Sequence, residues 1–333
     1  MAQAANFYPS QNVYVAYQKE SAVGTEPDDA ALKKMQTTSF TIPEASMPLE
    51  FSAPRSGQFV TTSTQGHHAE GTKMWTFDTV LRGTPTAVLL ATEAVFESAS
   101  SEATLNNNYS FPTATYKTGE SSASTFDIRF INGGADASTE TVEMEGCVGT
   151  GFTLSEDIGS EGGELVCTIN WASAFMPVHS GTDVSSLAYD TGTPKNIRNL
   201  GLATTLIDSG NEMVPLSWEL SCNRTIERVH YKDITSGAFA PFGYAMTGNF
   251  EVTGSITVIR NDDVHDILAN FYNSTTVDIN LSGTNFTIAA DKCLLGESSV
   301  DMGGAVLTQN IPFTVVGADD VSSSTKMLGI TIS

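Results

Sequence analysis

Positive charge is what this 333-residue chain has least of: 16 Lys+Arg stand against 38 Asp+Glu, for a formal net charge of −22. So acidic a chain does not bind nucleic acid by neutralising phosphates, a mode that needs a basic footprint. The charge suits solubility, and it also suits a surface that a polyanion must pass without sticking. Cysteine is scarce too. Cys147, Cys167, Cys222 and Cys293 form no CxxC, which leaves out the common paired-thiol redox and zinc spacings. They are expected as reduced, buried, small apolar side chains. A Cys147–Cys167 bridge would need the two to lie on paired strands.

Long apolar runs are missing. The longest, around Ala87–Ala91, falls far short of the roughly 20 residues that span a bilayer. The opening Met1-Ala-Gln-Ala-Ala-Asn6 has no basic region leading into an apolar core, so no secretory signal is expected. The Asn-x-Ser/Thr sites at Asn108, Asn223, Asn273 and Asn285 then read as incidental to a Ser/Thr-rich chain.

Catalytic motifs are missing as well: the sequence has no full Ca²⁺ loop, Gly-rich phosphate loop, GxSxG or HExxH. His67-His68-Ala69-Glu70 is the nearest thing to a metal cluster, but adjacent strand residues point to opposite faces. The carboxylate pairs Glu156-Asp157, Asp262-Asp263 and Asp319-Asp320 are expected at turns and helix caps. No catalytic residue, metal ligand or cofactor is assigned. A carbohydrate-binding or hydrolytic β-sandwich would show exposed aromatics around convergent carboxylates. Trp75, Trp171 and Trp218 each sit instead in a strand-like run.

What is present is mostly β. Asn12–Tyr17, Thr125–Ile131 and Asn249–Arg260 are rich in Val, Ile, Thr, Phe and Tyr, often alternating with polar residues. Two helices are expected. One starts at Thr84-Pro85 and turns Ala87, Leu90, Ala91, Ala94 and Val95 to one face. The other starts at Asn261-Asp262 and turns Val264, Ile267, Leu268 and Phe271 inward. Asp28–Met35 is a weaker helix candidate. Glu97–Ser124 reads as a long loop and His179–Lys195 as a linker.

The chain repeats itself. Thr79-Val-Leu-Arg82 and Thr257-Val-Ile-Arg260 each precede a capped helix, 178 residues apart, and the same offset pairs Leu89-Leu90-Ala91 with Ile267-Leu268-Ala269. Thr125-Phe-Asp-Ile128 then matches Thr276-Val-Asp-Ile279 at 151, Cys147 matches Cys293 at 146, and Gly162-Gly163 matches Gly303-Gly304 at 141. The order is kept and the length differences fall in loops, as in a duplicated domain. The expected division is a first domain over 1–178 with an N-terminal arm and an insertion at 97–124, a linker over 179–195, and a second domain over 196–333. Arg82 and Arg260 hold equivalent places. Each is either an ordinary strand-end arginine meeting a local carboxylate or a recurring contact between neighbouring subunits.

Several segments resemble the major tail tube proteins of long-tailed bacteriophages. They are the opening Val15-Ala-Tyr-Gln-Lys-Glu-Ser-Ala-Val-Gly-Thr25-Glu-Pro27, the run Glu70–Arg82, the turn Gly162-Gly163-Glu-Leu165 and the ending Ile311-Pro-Phe-Thr-Val-Val-Gly-Ala318. That resemblance implies two tandem all-β domains, each a small sandwich with one flanking helix, whose strands close an intersubunit β-barrel around a channel. It implies trimeric, pseudo-hexameric rings that stack into a tube, with the tape-measure protein and tail terminator or tip proteins as partners. DNA would pass without specific binding and no reaction would be catalysed. The protein would be made in the host cytoplasm and end in the virion. A capsid decoration protein or a secretion-tube subunit is the alternative of the same broad class. Residues 1–35 and 97–124 are expected to be ordered mainly by neighbours.

Overall fold

The computed structural model of the chain describes residues 13–28, 31–43, 49–51, 66–68, 74–97, 102–106, 115–117, 124–132, 141–157, 163–180, 187–193, 204–207, 211–232, 239–247, 250–283, 286–317 and 326–332. The first half runs β1 Val13–Lys19, β2 Lys33–Lys34, β3 Thr37–Phe40, β4 Leu49–Phe51, β5 Gly66–His68, β6 Trp75–Arg82, α1 Pro85–Phe96, β7 Glu102–Asn106, β8 Thr115–Lys117, β9 Phe126–Asn132, β10 Thr141–Asp157, β11 Val166–Ser173, β12 Val178–Ser180 and β13 Ala188–Tyr189. The second half runs β14 Thr204–Ile207, β15 Asn211–Met213, β16 Pro215–Asn223, β17 Ile226–Lys232, β18 Phe239–Met246, β19 Glu251–Ile259, α2 Asp262–Asn273, β20 Val277–Gly283, β21 Phe286–Leu295, β22 Ser299–Asp301, β23 Thr308–Val315 and β24 Lys326–Ile332. Strands dominate and helices are few, as the sequence leads one to expect.

The strands form where alternation is clearest. In β6, Trp75, Phe77 and Leu81 turn inward while Thr76 faces solvent. In β23, Ile311, Phe313 and Val315 do the same. Each such side chain stabilises the fold by about 1.5–3 kcal/mol relative to leaving it in water. The buried tryptophan Trp171 donates its Nε1–H to Thr79 Oγ1 at 2.9 Å, so its polar atom costs nothing on burial. All three tryptophans lie in the core.

Both helices start where expected. Thr84 Oγ1 accepts from Ala87 N–H at 3.1 Å with Pro85 following. Asn261 Oδ1, and not Asp262, accepts from Val264 N–H at 3.0 Å. Each helix ends on a left-handed residue, Glu97 (φ 56°) or Ser274 (φ 52°). The inward residues expected of α1 are all buried, whereas Phe271 and Tyr272 of α2 are exposed. Thr84 also donates to Asp190 Oδ2 at 2.6 Å. Thr84→Ala is expected to cost on the order of 1 kcal/mol, seen as a lower urea midpoint at unchanged slope, with Thr84→Ser close to wild type.

Three expectations need correction. Asp28–Met35 is not one helix: its described residues include β2, which lies antiparallel on β1 through Ala16↔Lys34 and Tyr17↔Lys33, so sheet pairing overrides a weak local preference. From Val13 onward the arm is ordered within the chain itself, while residues 1–12 lie outside the described residues. β1 pairs with β9 along its whole length, and Val15 and Ala16 are fully buried. The stretch 97–124 is not only loop, since β7 pairs with β24 and β8 with β18, both in the second half. Within 179–195, β12 continues onto β10 and β13 lies parallel to β2. Asp190 there takes hydrogen bonds from Thr84 and Thr86 at the start of α1.

The two halves share one ladder order. In the first it is β3–β6–β11–β10–β9–β1–β2. In the second it is β16–β19–β23–β21–β20–β14–β15. The registers agree residue by residue. Trp75↔Ser173 and Thr79↔Ile169 become Thr253↔Thr314 and Thr257↔Asn310 when β6 is moved by 178 and β11 by 141. Phe126↔Cys147 and Ile128↔Met144 become Val277↔Cys293 and Ile279↔Ala290, with the same bulge between the two pairs. The hairpins follow too: Leu49↔His68 and Phe51↔Gly66 match Ile226↔Met246 and Arg228↔Tyr244. The helices differ from the sequence alignment by one residue. Their caps, Thr84 and Asn261, lie 177 apart, because Gly83 has no counterpart after Arg260.

Candidate assembly interface

β10 connects everything. Its first part pairs with β9 and β12, and its last part with β11. The change of direction falls at Gly146, whose φ of +59° and whose contact with Phe175 leave no room for a side chain. Its N–H donates to Glu20 Oε1 at 2.6 Å, and burial raises the Glu20 carboxyl above its usual range. The free side of the last part of β10 is taken by β16 of the second half, from Gly151↔Asn223 to Asp157↔Ser217. The two halves are thus joined by a main-chain ladder.

Side chains lock this junction. Arg224, next after β16, is buried. Its Nε donates to Gly149 O at 2.7 Å and its Nη2 to Ala94 O at 2.8 Å, and its Nη1 lies 3.6 Å from Glu97 Oε1. It therefore places a cation on Ala94 O in the last turn of α1, where the helix dipole favours one. Tyr244 of β18 is fully buried, donates to Gly146 O at 2.5 Å and accepts from Ala174 N–H at 2.8 Å. Val23, Val148, Ala172, Ala174, Ile226 and Tyr244 make one apolar cluster across the two halves. Glu156, expected at a turn, instead sits buried in β10 and accepts from Trp218 Nε1–H at 2.9 Å. The burial of Glu156 against a β16 tryptophan is part of the junction.

Arg82 and Arg260 occupy equivalent places: Arg82 is opposite Val166, and Arg260 N–H donates to Leu307 O, 141 residues further on. Their surroundings differ. Arg82 grips Glu164 with both Nε (3.1 Å) and Nη2 (2.7 Å) and reaches Gln36 Oε1 at 3.1 Å. The counterpart of Glu164 is Ala305, and Arg260 has no carboxylate partner among the described residues.

A second charged cluster was not singled out in the sequence. Asp127 and Arg129 are fully buried on β9, and Glu143 on β10 lies directly opposite Arg129. Arg129 Nη2 reaches Asp127 Oδ2 at 2.8 Å, Glu143 Oε1 at 2.9 Å and Glu26 Oε1 at 3.2 Å. Burial pushes the Asp127 carboxyl up to about 8, against the pull of Arg129. Carboxylate oxygens of Glu26, Glu143 and Glu145 lie within 4.8 Å of one another, but Arg129 already supplies the cation there. Alternating charges at 127, 129, 143 and 145 across paired strands were the available clue.

The cysteines are free and buried, as expected. Burial pushes the Cys167 thiol up to about 12. Cys147 and Cys167 lie on paired strands, but Cys167 faces Leu154, not Cys147. His67 and His68 lie on β5 opposite Glu50 and Leu49, with their side chains outside the described residues, as are Asp319 and Asp320.

No protein-family model matches the sequence, and no curated protein matches it. Among solved structures, a chain from the tail of an empty GTA particle, refined with C6 symmetry, matches at 12% identity and a TM-score of 0.23, covering 38% of this chain and 85% of that one. A likeness this slight carries no argument.

Proposed function

We propose that this chain is a structural subunit of a phage tail tube, three copies closing a ring of six similar sheet units and rings stacking into a hollow tube. The observation that supports the reading is the internal junction: two halves with the same ladders are joined edge to edge by β10 and β16. Such a chain is built to continue. Whatever edge the first half gives the second, the second can give the first half of another copy, and a head-to-tail contact closes into a ring when its rotation allows. Closure removes exposed strand edges that would otherwise invite aggregation. The net charge of −22 would keep DNA mobile in an acidic channel. In this reading Arg82 and Arg260 lie at contacts between adjacent units, and the partners are further copies, a tape-measure protein and terminator or tip proteins. No reaction is assigned.

The test is negative-stain electron microscopy of the purified chain at high concentration, viewed end-on. Rings of three two-lobed subunits around an open channel, or hollow tubes, are expected. Compact monomers without a channel at every salt concentration would remove the tube reading.

A further inference from the structure

We propose that the open edge of β22 pairs with the continuation of β3 in a second copy of the chain, in the register that β10 and β16 use within one chain. The proposal rests on the tube-subunit reading only through the repeat, and it names the residues that meet.

β22 stands where the last part of β10 stands. Ser299↔Asn310 and Asp301↔Thr308 reproduce Phe152↔Ile169 and Leu154↔Cys167, shifted by 147 on one strand and 141 on the other. The other side of β10 is filled by β16. The other side of β22 carries no strand among the described residues, and its three residues are exposed. On the receiving side, Phe40 lies opposite Thr79 as Ser217 lies opposite Thr257. Leu49 likewise matches Ile226 in the hairpins, so residues 40–49 take a constant offset of 177. No strand covers the outer side of β3 among the described residues.

Within the chain, Ser155 faces Glu219 and Leu154 faces Leu220. Shifted by the same offsets, these pairs become Met302 facing Ile42 and Asp301 facing Pro43. Met302 is 78% exposed and Ile42 is 41% exposed. Single exposed apolar residues are ordinary, but these two are brought together by a register found without regard to their exposure. The contact joins two different edges, so it is head-to-tail and leaves each copy with one edge of each kind.

The test uses the full chain carrying Ile42→Cys or Met302→Cys, each checked for wild-type circular dichroism; the four native thiols are buried. Opposed residues on paired strands place their Cβ atoms roughly 4.5–5.5 Å apart, close enough for mild oxidation to join them after a small shift. An equal mixture of the two variants is expected to give a covalent dimer on a non-reducing gel, each variant alone a monomer, and the double variant a ladder. Met302→Asp is expected to lose the assembled species in light scattering while the monomer stays folded. No dimer in the mixture, or equal cross-linking of Met302→Cys alone, would overturn the proposal. Tubes seen by microscopy without the mixed cross-link would keep the tube and discard this pairing. The mixed cross-link in chains that never close would keep the pairing and discard the tube.

Discussion

Arg224→Ala is expected to destabilise the protein by about 3–5 kcal/mol, the range for removing one partner of a buried ion pair. Three things are lost together. Glu97, whose side chain is 2% exposed, loses the guanidinium that lies 3.6 Å from its Oε1. The carbonyls of Gly149 and Ala94 lose their donors in a place where water cannot replace them. The end of α1 loses the positive charge that its dipole favours. Arg224→Lys should recover only part of this, because an ammonium on a flexible stem cannot reproduce the planar fork that reaches all three partners. Urea unfolding decides the matter: a midpoint for Arg224→Ala within error of wild type would show that the junction does not depend on this side chain. Since Arg224 follows β16 directly, the same variant should also weaken ring formation at protein concentrations where wild type assembles.

What the sequence disclosed and what it hid follow from range. The helix starts were legible because a cap acts on a residue three positions away, as Thr84 does on Ala87. The duplication was legible because Arg82 and Arg260, the cysteines and the Gly-Gly pairs keep their order. The one-residue slip in the helices was not, since nothing in Leu89-Leu90-Ala91 reveals that Gly83 is an extra residue. The strand at the end of the arm was legible as Asn12–Tyr17, but its partner was not, because β9 lies more than a hundred residues away. β7 and β8 were missed because their partners, β24 and β18, lie more than a hundred residues away. The interface was hidden for the same reason. Met302 and Ile42 become a pair only when two ladders and two offsets are compared.

The buried cluster on β9 carries the other large effect, and its sign can be worked out. Arg129→Ala removes the cation shared by Asp127, Glu143 and Glu26, and a loss of about 3–5 kcal/mol is expected near neutral pH. Glu26 is 57% exposed and adds little to that figure, because solvent screens it. The effect depends on pH through Asp127, whose carboxyl rises from 3.8 to about 8, burial acting against Arg129. A carboxyl raised on folding binds its proton more tightly in the folded state. Its stabilising contribution is therefore complete below about pH 3.8 and is lost as pH rises through 8. Glu20, also raised by burial, acts in the same direction. Asp127→Asn should accordingly flatten the fall of stability between pH 4 and 8 without abolishing it. In Arg129→Ala the pull that lowers the Asp127 carboxyl is gone, so the part of its penalty that runs through Asp127 should stay flat at lower pH and open only as pH approaches and passes 8. Urea midpoints of wild type and both variants at pH 4, 6 and 8 provide the check. If Asp127→Asn follows the wild-type slope, Asp127 does not titrate in this window, and the cluster acts through packing alone.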